Sequence, residues 1–251
     1  MGIIVPDTRR PQSRAGGTTM SAGRGSVQSI IDEQVRRWEL SSRERKKGRG
    51  LPDLAITISR LPGCAGAEVS RETARRLDFN VYNKEILHEI AESTHLSETV
   101  VRSLDEKVIP LMDEWITSLF LQPYLSQVYF HHLLRVLLTI GKKGHAVILG
   151  RGASFILPSR ECLRVLFVAP LDVRIRDFAQ RQKLTLEEAK RRILNVESDR
   201  RAFIRRHFHA DMTDPSHYDI VLNTQDLGIN GAVEAVQLAW ETKRKVLAGG
   251  R

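Results

Sequence analysis

The sequence predicts an α/β fold in which a parallel sheet is flanked by helices. From Leu54 onward, short apolar runs alternate with segments of helical period. The runs at 54–59, 145–150, 163–169 and 218–222 are continuously apolar rather than alternating, as expected of strands covered on both faces. Ligands of such sheets sit beyond the C-terminal strand ends. Three of those ends carry polar residues of interest: Ser59-Arg60, Gly150-Arg151 and Asn223-Thr224.

In chain order, residues 1 to about 25 are rich in Gly, Ser, Thr, Arg and Pro without periodicity, and are expected to be disordered. SVQSIIDEQVRRWEL (26–40) sets Ile30, Ile31, Val35, Trp38 and Leu40 at helical spacing, which predicts a short amphipathic helix that docks on the body or on a partner. SSRERKKGRGLPD (41–53) reads as a polar linker, so residues 1–50 form a basic tail and 51–251 the folded domain. The domain opens with strand 54–59, helix 66–77, strand 79–82 and helix 83–94. A helix capped by Ser97 is expected over 95–108, then two helical pieces over 109–143 split near Pro123. Strands 145–150 and 163–169 follow, then helix 171–182 and a helix over 185–197 capped by Thr185. Strand 218–224 and helix 229–247 complete the pattern.

Bulk composition narrows the function. The chain has 251 residues, 41% of them hydrophobic, and no apolar stretch reaches the roughly 18–20 residues that span a bilayer. The opening MGIIVPDTRRPQSRAGG is not expected to be a secretory signal. Cys64 and Cys162 fit neither a disulfide framework nor a zinc pattern, so a reducing cytoplasm is the expected setting. The net charge of +9 is uneven: residues 1–50 hold 11 Lys/Arg and 5 Asp/Glu, or +6, and Lys190 to His209 hold 7 basic and 2 acidic residues, or +5. A basic patch that local suits a nucleotide as readily as a duplex.

The stretch ITISRLPGCAGAEVSRETARRL (56–77) carries the first chemical signal. Successive small residues after a strand let backbone amides approach an anion, and the following helix adds its positive end. Gly63, Cys64, Ala65, Gly66 and Ala67 provide such a loop, but Gly66 and Ala67 stand where a nucleotide phosphate loop has lysine and a hydroxyl. Arg60, leaving the strand end, is the better substitute cation, ahead of Arg71 on the helix. A tight turn with glycine for sterics alone is the alternative.

Two further cation sources stand out. HAVILGRGASFIL flanks Arg151 with glycines, so a bidentate phosphate clamp can project from the strand end. A pairing with a nearby carboxylate is the alternative. ESDRRAFIRRHFHADMTDP (197–215) places Arg201 and Arg205 four apart on one helix face, with Arg200 beside them. Several guanidinia suit the spread charge of a transferring phosphoryl group, whereas a solvated basic helix is the plain alternative. His207 and His209 do not converge on one helix face, so no metal site is expected. His131 and His132 read as packing or surface residues, and Asp105, Glu106 and Lys107 as a solvated face. Trp115, Phe120, Tyr124, Tyr129 and Phe130 read as helical core rather than a lid over a base.

In order and spacing these segments resemble the cytidylate kinase-like family of P-loop nucleoside monophosphate kinases. The matching pieces are ITISR (56–60), GCAG (63–66), ETARRL (72–77), YNKEI (82–86), VILGR (147–151), SDRRAF (198–203) and HYDIVLNTQDLGINGAVE (217–234). The resemblance implies a three-layer P-loop kinase fold with a helical monophosphate-binding insert at 83–143 and a basic lid at 185–215. It implies ATP-dependent phosphoryl transfer to CMP or dCMP, with Mg²⁺ held mainly through phosphates and water. By likeness, loop 60–67 holds the ATP phosphates, Arg151 the monophosphate, Asp199 and Lys84 lie with the substrate, and Arg60, Arg200, Arg201 and Arg205 act in catalysis. The chain departs from the family's GSGGR at Ala65 and Ala67, from YDREI at Asn83, and from GRD at Gly152. Each departure touches turnover more than binding. A regulatory nucleotide-binding protein without turnover, whose tail engages a protein partner, is therefore the alternative. A nucleic-acid binder ranks last, because no aromatic-interleaved basic strand or recognition helix is present.

Overall fold

The computed structural model describes residues 24–46, 51–104 and 127–249, with the single positions 109 and 112. The disorder expected before residue 24, the solvated face at 105–107 and the first helical piece of 109–143, with Trp115, Phe120, Pro123 and Tyr124, lie outside the described residues.

Helix α1 spans Arg24–Lys46. It is longer than the helix expected over 26–40 and takes in half of the expected linker. Val27, Ile31 and Trp38 are fully buried on one face, while Leu40 is 61% exposed and faces away. Strand β1 (Ala55–Arg60) leads through a loop to α2 (Gly66–Leu77). β2 (Asn80–Tyr82) follows, then α3 (Lys84–Glu92) and α4 (Thr94–Val101). Ser93, not Ser97, caps α4: its side chain accepts from the Leu96 amide, whereas Ser97 is buried inside the helix. α5 (Gln127–Lys143), β3 (Ala146–Leu149) and the four-residue helix α6 (Ala153–Ile156) come next. The sequence offered no periodic signal for so short a helix.

β4 (Cys162–Val168) and α7 (Leu171–Gln182) precede α8, which runs unbroken over Leu186–Phe208. The expected helix and the basic stretch beyond 197 are thus one element. Its start is a capping box: the Thr185 side chain accepts from the Glu188 amide, and the Glu188 carboxylate accepts from the Thr185 amide. β5 (Ile220–Asn223) ends the sheet, and α9 (Thr224–Gly249) closes the chain with a break at Gly228.

All strand pairs are parallel, in the order β2-β3-β1-β4-β5. Side chains alternate between two apolar layers. Ala146 and Ile148 pack with α1 and α3 to α5, through Ile31, Trp38, Ile90, Leu134 and Leu137. Val147 and Leu149 pack with α2 and α9, through Val69, Ala74, Val233, Val236 and Trp240. A third small cluster, Leu61, Ile204 and Met212 with Phe155, Phe203 and Phe208, fixes the C-terminal half of α8 over the strand ends. That placement puts the basic helix at the C-terminal edge of the sheet.

Candidate active site

β1, β3 and α8 supply the parts. Between β1 and α2 the chain turns at Gly63, whose φ is +91°. A Cβ there would fall 2.7 Å from the Arg174 carbonyl oxygen and 2.8 Å from the Arg174 Cβ, so only glycine fits. The residue before α2 is Ala65, which offers no side-chain cap. The first amides of a helix have no partner within it, so the start of α2 keeps donors and positive potential for an anion. Cys64 contributes packing: its buried thiol points to the Phe167 carbonyl oxygen at 3.8 Å, and burial pushes its pKa up. Ala67 packs against the apolar layer of α2.

Arg60 occupies the space beside Gly66. A Cβ on Gly66 would stand 3.0 Å from Arg60 Cδ and 3.1 Å from Arg60 Cβ. The Arg60 side chain thus lies in the space that a side chain at position 66 would need. Its Nη1 ends 3.9 Å from the Cβ position of Gly150, at the end of β3. Burial, and then Arg200 nearby, lower its pKa from 12.5 to about 10. Arg60 therefore stays charged at neutral pH. No hydrogen bond or ion pair neutralises its guanidinium among the described residues.

Arg200 Nη1 donates to the Arg60 carbonyl oxygen at 2.9 Å, which ties the middle of α8 to the end of β1, and burial lowers its pKa too. Arg151 sits between Gly150 and Gly152, and all three residues have positive φ. A non-glycine residue held there marks a constrained corner. Its Nε is buried without a hydrogen-bond partner among the described residues. The ring of Phe208 closes on Gly152, 2.8 Å from where a Cβ would be.

The structure therefore gathers Arg60, Arg200, the Gly150–Arg151 corner and loop 63–67. Other candidates stand apart. Arg201 donates through Nε and Nη2 to Glu197 Oε1, at 3.2 and 2.9 Å. Arg205 and Asp199 are exposed on α8, and Lys84 is exposed in the first turn of α3; none is hydrogen-bonded to the group among the described residues. Asn83 caps α3 by accepting from the Ile86 amide at 3.0 Å, so the Asp-to-Asn departure keeps the helix start.

Sequence reasoning missed three residues. The Glu85 carboxylate lies within electrostatic reach of Arg60. Arg181 Nη2 donates to the Gly63 carbonyl oxygen at 2.5 Å. Buried Arg174 donates to the carbonyl oxygens of Ala169 (2.9 Å) and Pro62 (3.1 Å) and to Glu197 Oε2 (2.8 Å). Glu85 lay in YNKEI in plain view. Arg174 and Arg181 of α7 lie in no motif that sets them apart from helix-surface charge.

The chain is similar to known proteins. A profile of the cytidylate kinase-like family matches residues 55–226. The chain belongs to that family. Cytidylate kinase of Methanopyrus kandleri is 27% identical over 181 residues, covering 68% of this chain and 84% of the relative. Cytidylate kinase of Pyrococcus horikoshii is 25% identical over 187 residues, covering 74% of this chain and 88% of the relative. Among solved structures, an uncharacterized protein from Eubacterium ventriosum superposes with a TM-score of 0.63 at 17% identity, covering 76% of this chain and 99% of that one. The fold is the three-layer α/β P-loop kinase fold. Membership of the cytidylate kinase-like family places the chain among kinase-like phosphotransferases. No described helix is long and apolar enough to cross a membrane.

Proposed function

We propose that this protein transfers the γ-phosphoryl group of ATP to a nucleoside monophosphate, with CMP or dCMP as the preferred acceptor. The observation that carries the reading is the position of Arg60. Its side-chain stem runs beside Gly66 and its guanidinium, with no hydrogen bond or ion pair among the described residues, ends near Gly150 at the Arg151 corner, with Arg200 close by.

Phosphoryl transfer asks mainly for positioning and charge neutralisation. In this reading the loop amides and Arg60 hold the donor phosphates, and Arg151 holds the acceptor phosphate so that one of its oxygens faces the γ-phosphorus in line. That oxygen bonds to phosphorus as the bond to the β–γ bridging oxygen breaks, and Arg60 and Arg200 stabilise charge on the moving oxygens. Ala67 has no hydroxyl, and no group of three or more His, Cys, Asp or Glu side chains converges among the described residues. The site fits a Mg²⁺ ion that arrives with ATP and is held by phosphate oxygens and water, where it supplies further charge neutralisation. Arg201, Arg205, Asp199 and Lys84 join the bound substrates only after rearrangement of the unliganded geometry.

An acceptor panel of CMP, dCMP, UMP and AMP with ATP and Mg²⁺ tests the reading, and turnover with none of them removes it. Arg151→Ala is expected to raise KM for the monophosphate by about tenfold or more while KM for ATP changes little. Equal losses for both would remove Arg151 from its assigned role. The loop's lack of both lysine and hydroxyl favours one second reading, a nucleotide-binding regulatory protein without turnover. Ligand-induced thermal shifts in the absence of turnover would select it. A partner for the tail remains part of that second reading.

A further inference from the structure

The link between α7, the phosphate loop and α8 goes beyond the residues assigned so far. Arg174, 5% exposed, sits beneath the loop. Its backbone carbonyl and Cβ define the wall against which Gly63 turns, and Ile193 of α8 completes that wall at 2.9 Å. Its guanidinium holds the Pro62 carbonyl oxygen inside the loop and the Ala169 carbonyl oxygen after β4. The same group grips Glu197, whose other carboxylate oxygen holds Arg201. One turn of α8, residues 197–201, is thus fastened to the loop twice: through Glu197 and Arg174 to Pro62, and through Arg200 to the Arg60 carbonyl oxygen.

A phosphate loop with two alanines and no lysine lacks the ordinary means of holding its shape around an anion. A buried guanidinium with three acceptors in fixed directions is a rigid brace, because its donors form a planar fork. A carboxylate shared by two arginines is a strong link of the same kind.

We propose that Arg174 is a positioning residue for the donor nucleotide: it sets the loop from below and, through Glu197, holds α8 so that Arg200 stands beside Arg60. This inference rests on the nucleotide-kinase reading and deepens it. The brace acts on the ATP side of the site and leaves the Arg151 side alone.

The test is calorimetric titration of the full chain with ATP and, separately, with CMP, followed by KM for each in turnover. Glu197→Gln keeps the shape and removes the charge. It is expected to weaken ATP binding by about tenfold and to leave CMP binding unchanged. Arg174→Lys keeps the charge, but one ammonium cannot span three acceptors, so a similar selective loss of ATP is expected. Variants that lower the melting temperature of the free protein yet bind ATP as the wild type does would reduce Arg174 to a structural pin and overturn the proposal. Equal losses for ATP and CMP would overturn it as well. A wild-type chain that binds neither nucleotide would bring down the nucleotide reading itself, and the inference with it.

Discussion

Arg60→Met is expected to make the free protein more stable and to remove ATP binding. The two effects share one cause. Burial, and then Arg200, lower the Arg60 pKa to about 10, so the fold disfavours the charged form. A cation whose pKa is lower folded than unfolded destabilises the native state at every pH below its folded value. That cost is relieved only as pH rises through about 10. Methionine keeps the length and apolar contact along Gly66 without the charge, so stability at neutral pH should rise by roughly 1–2 kcal/mol. Bound phosphate offsets the same charge, so the wild type recovers the cost on binding ATP and the variant has nothing to recover. Loss of this contact should lower kcat by about 10²–10³-fold if any turnover persists. Thermal unfolding with and without ATP reads both effects. A variant less stable than the wild type, or one with the full ATP-induced shift, would show that Arg60 is a structural cation.

How far the sequence foretold this site differs by part. The parallel sheet was legible because doubly covered strands are continuous apolar runs, and Ile56, Ile58, Val147, Ile148 and Val165 are all buried. The Thr185 cap was legible because Thr followed three residues later by Glu is a local signal. Boundaries within 83–101 shifted because Ser93 and Ser97 are both good caps and local chemistry cannot choose between them; burial of Ser97 decides. Arg60 was nameable from its place at a strand end, but its path beside Gly66 is a tertiary fact. The division of labour among Arg200, Arg201 and Arg205 was not legible at all. Periodicity separates Arg200 from the shared face of Arg201 and Arg205 but does not say which partner each meets; that is set by a carboxylate one turn back, Glu197, and by a carbonyl on β1.

The difference from an ordinary lysine-bearing phosphate loop becomes coherent when the loop, β1 and α8 are taken together. A lysine at position 66 and an arginine side chain at 60 could not share the same space, since even a Cβ at 66 comes within 3.0 Å of Arg60. Glycine at 66 and arginine at 60 are therefore one solution in two positions. Under the proposed function the cation for the donor phosphates comes from the strand rather than the helix, and the α8 turn bonded to the Arg60 carbonyl oxygen holds that strand end.

Trp38→Ala is expected to have the largest effect on stability, although residue 38 lies outside the matched family region of 55–226. Trp38 is 1% exposed, and its Nε1 donates to the Gly144 carbonyl oxygen at 3.0 Å. Around it α1 covers the edge strand of the sheet: the Asn80 side chain in β2 donates to Gln34 at 2.9 Å, and Arg37 pairs with Asp78 at 2.7 Å. Truncation to alanine should cost about 3–5 kcal/mol and lower the melting temperature by roughly 10 °C. Trp38→Phe keeps most of the volume but strands the Gly144 acceptor, and should cost only about 1–2 kcal/mol. Neither should alter ATP affinity where the protein is folded, since Trp38 packs in the layer of α1 and α3 to α5 while Cys64 and Ala67 pack in the opposite one. The helix also decides how the chain can be shortened. Removal of residues 1–50 takes Val27, Ile31 and Trp38 out of the apolar layer that holds α3 to α5, so it should unfold the protein rather than trim a tail. Removal of residues 1–23 spares Val27, Ile31 and Trp38. A 1–50 deletion that kept the wild-type melting temperature would mean that α1 is an appendage and not part of the core.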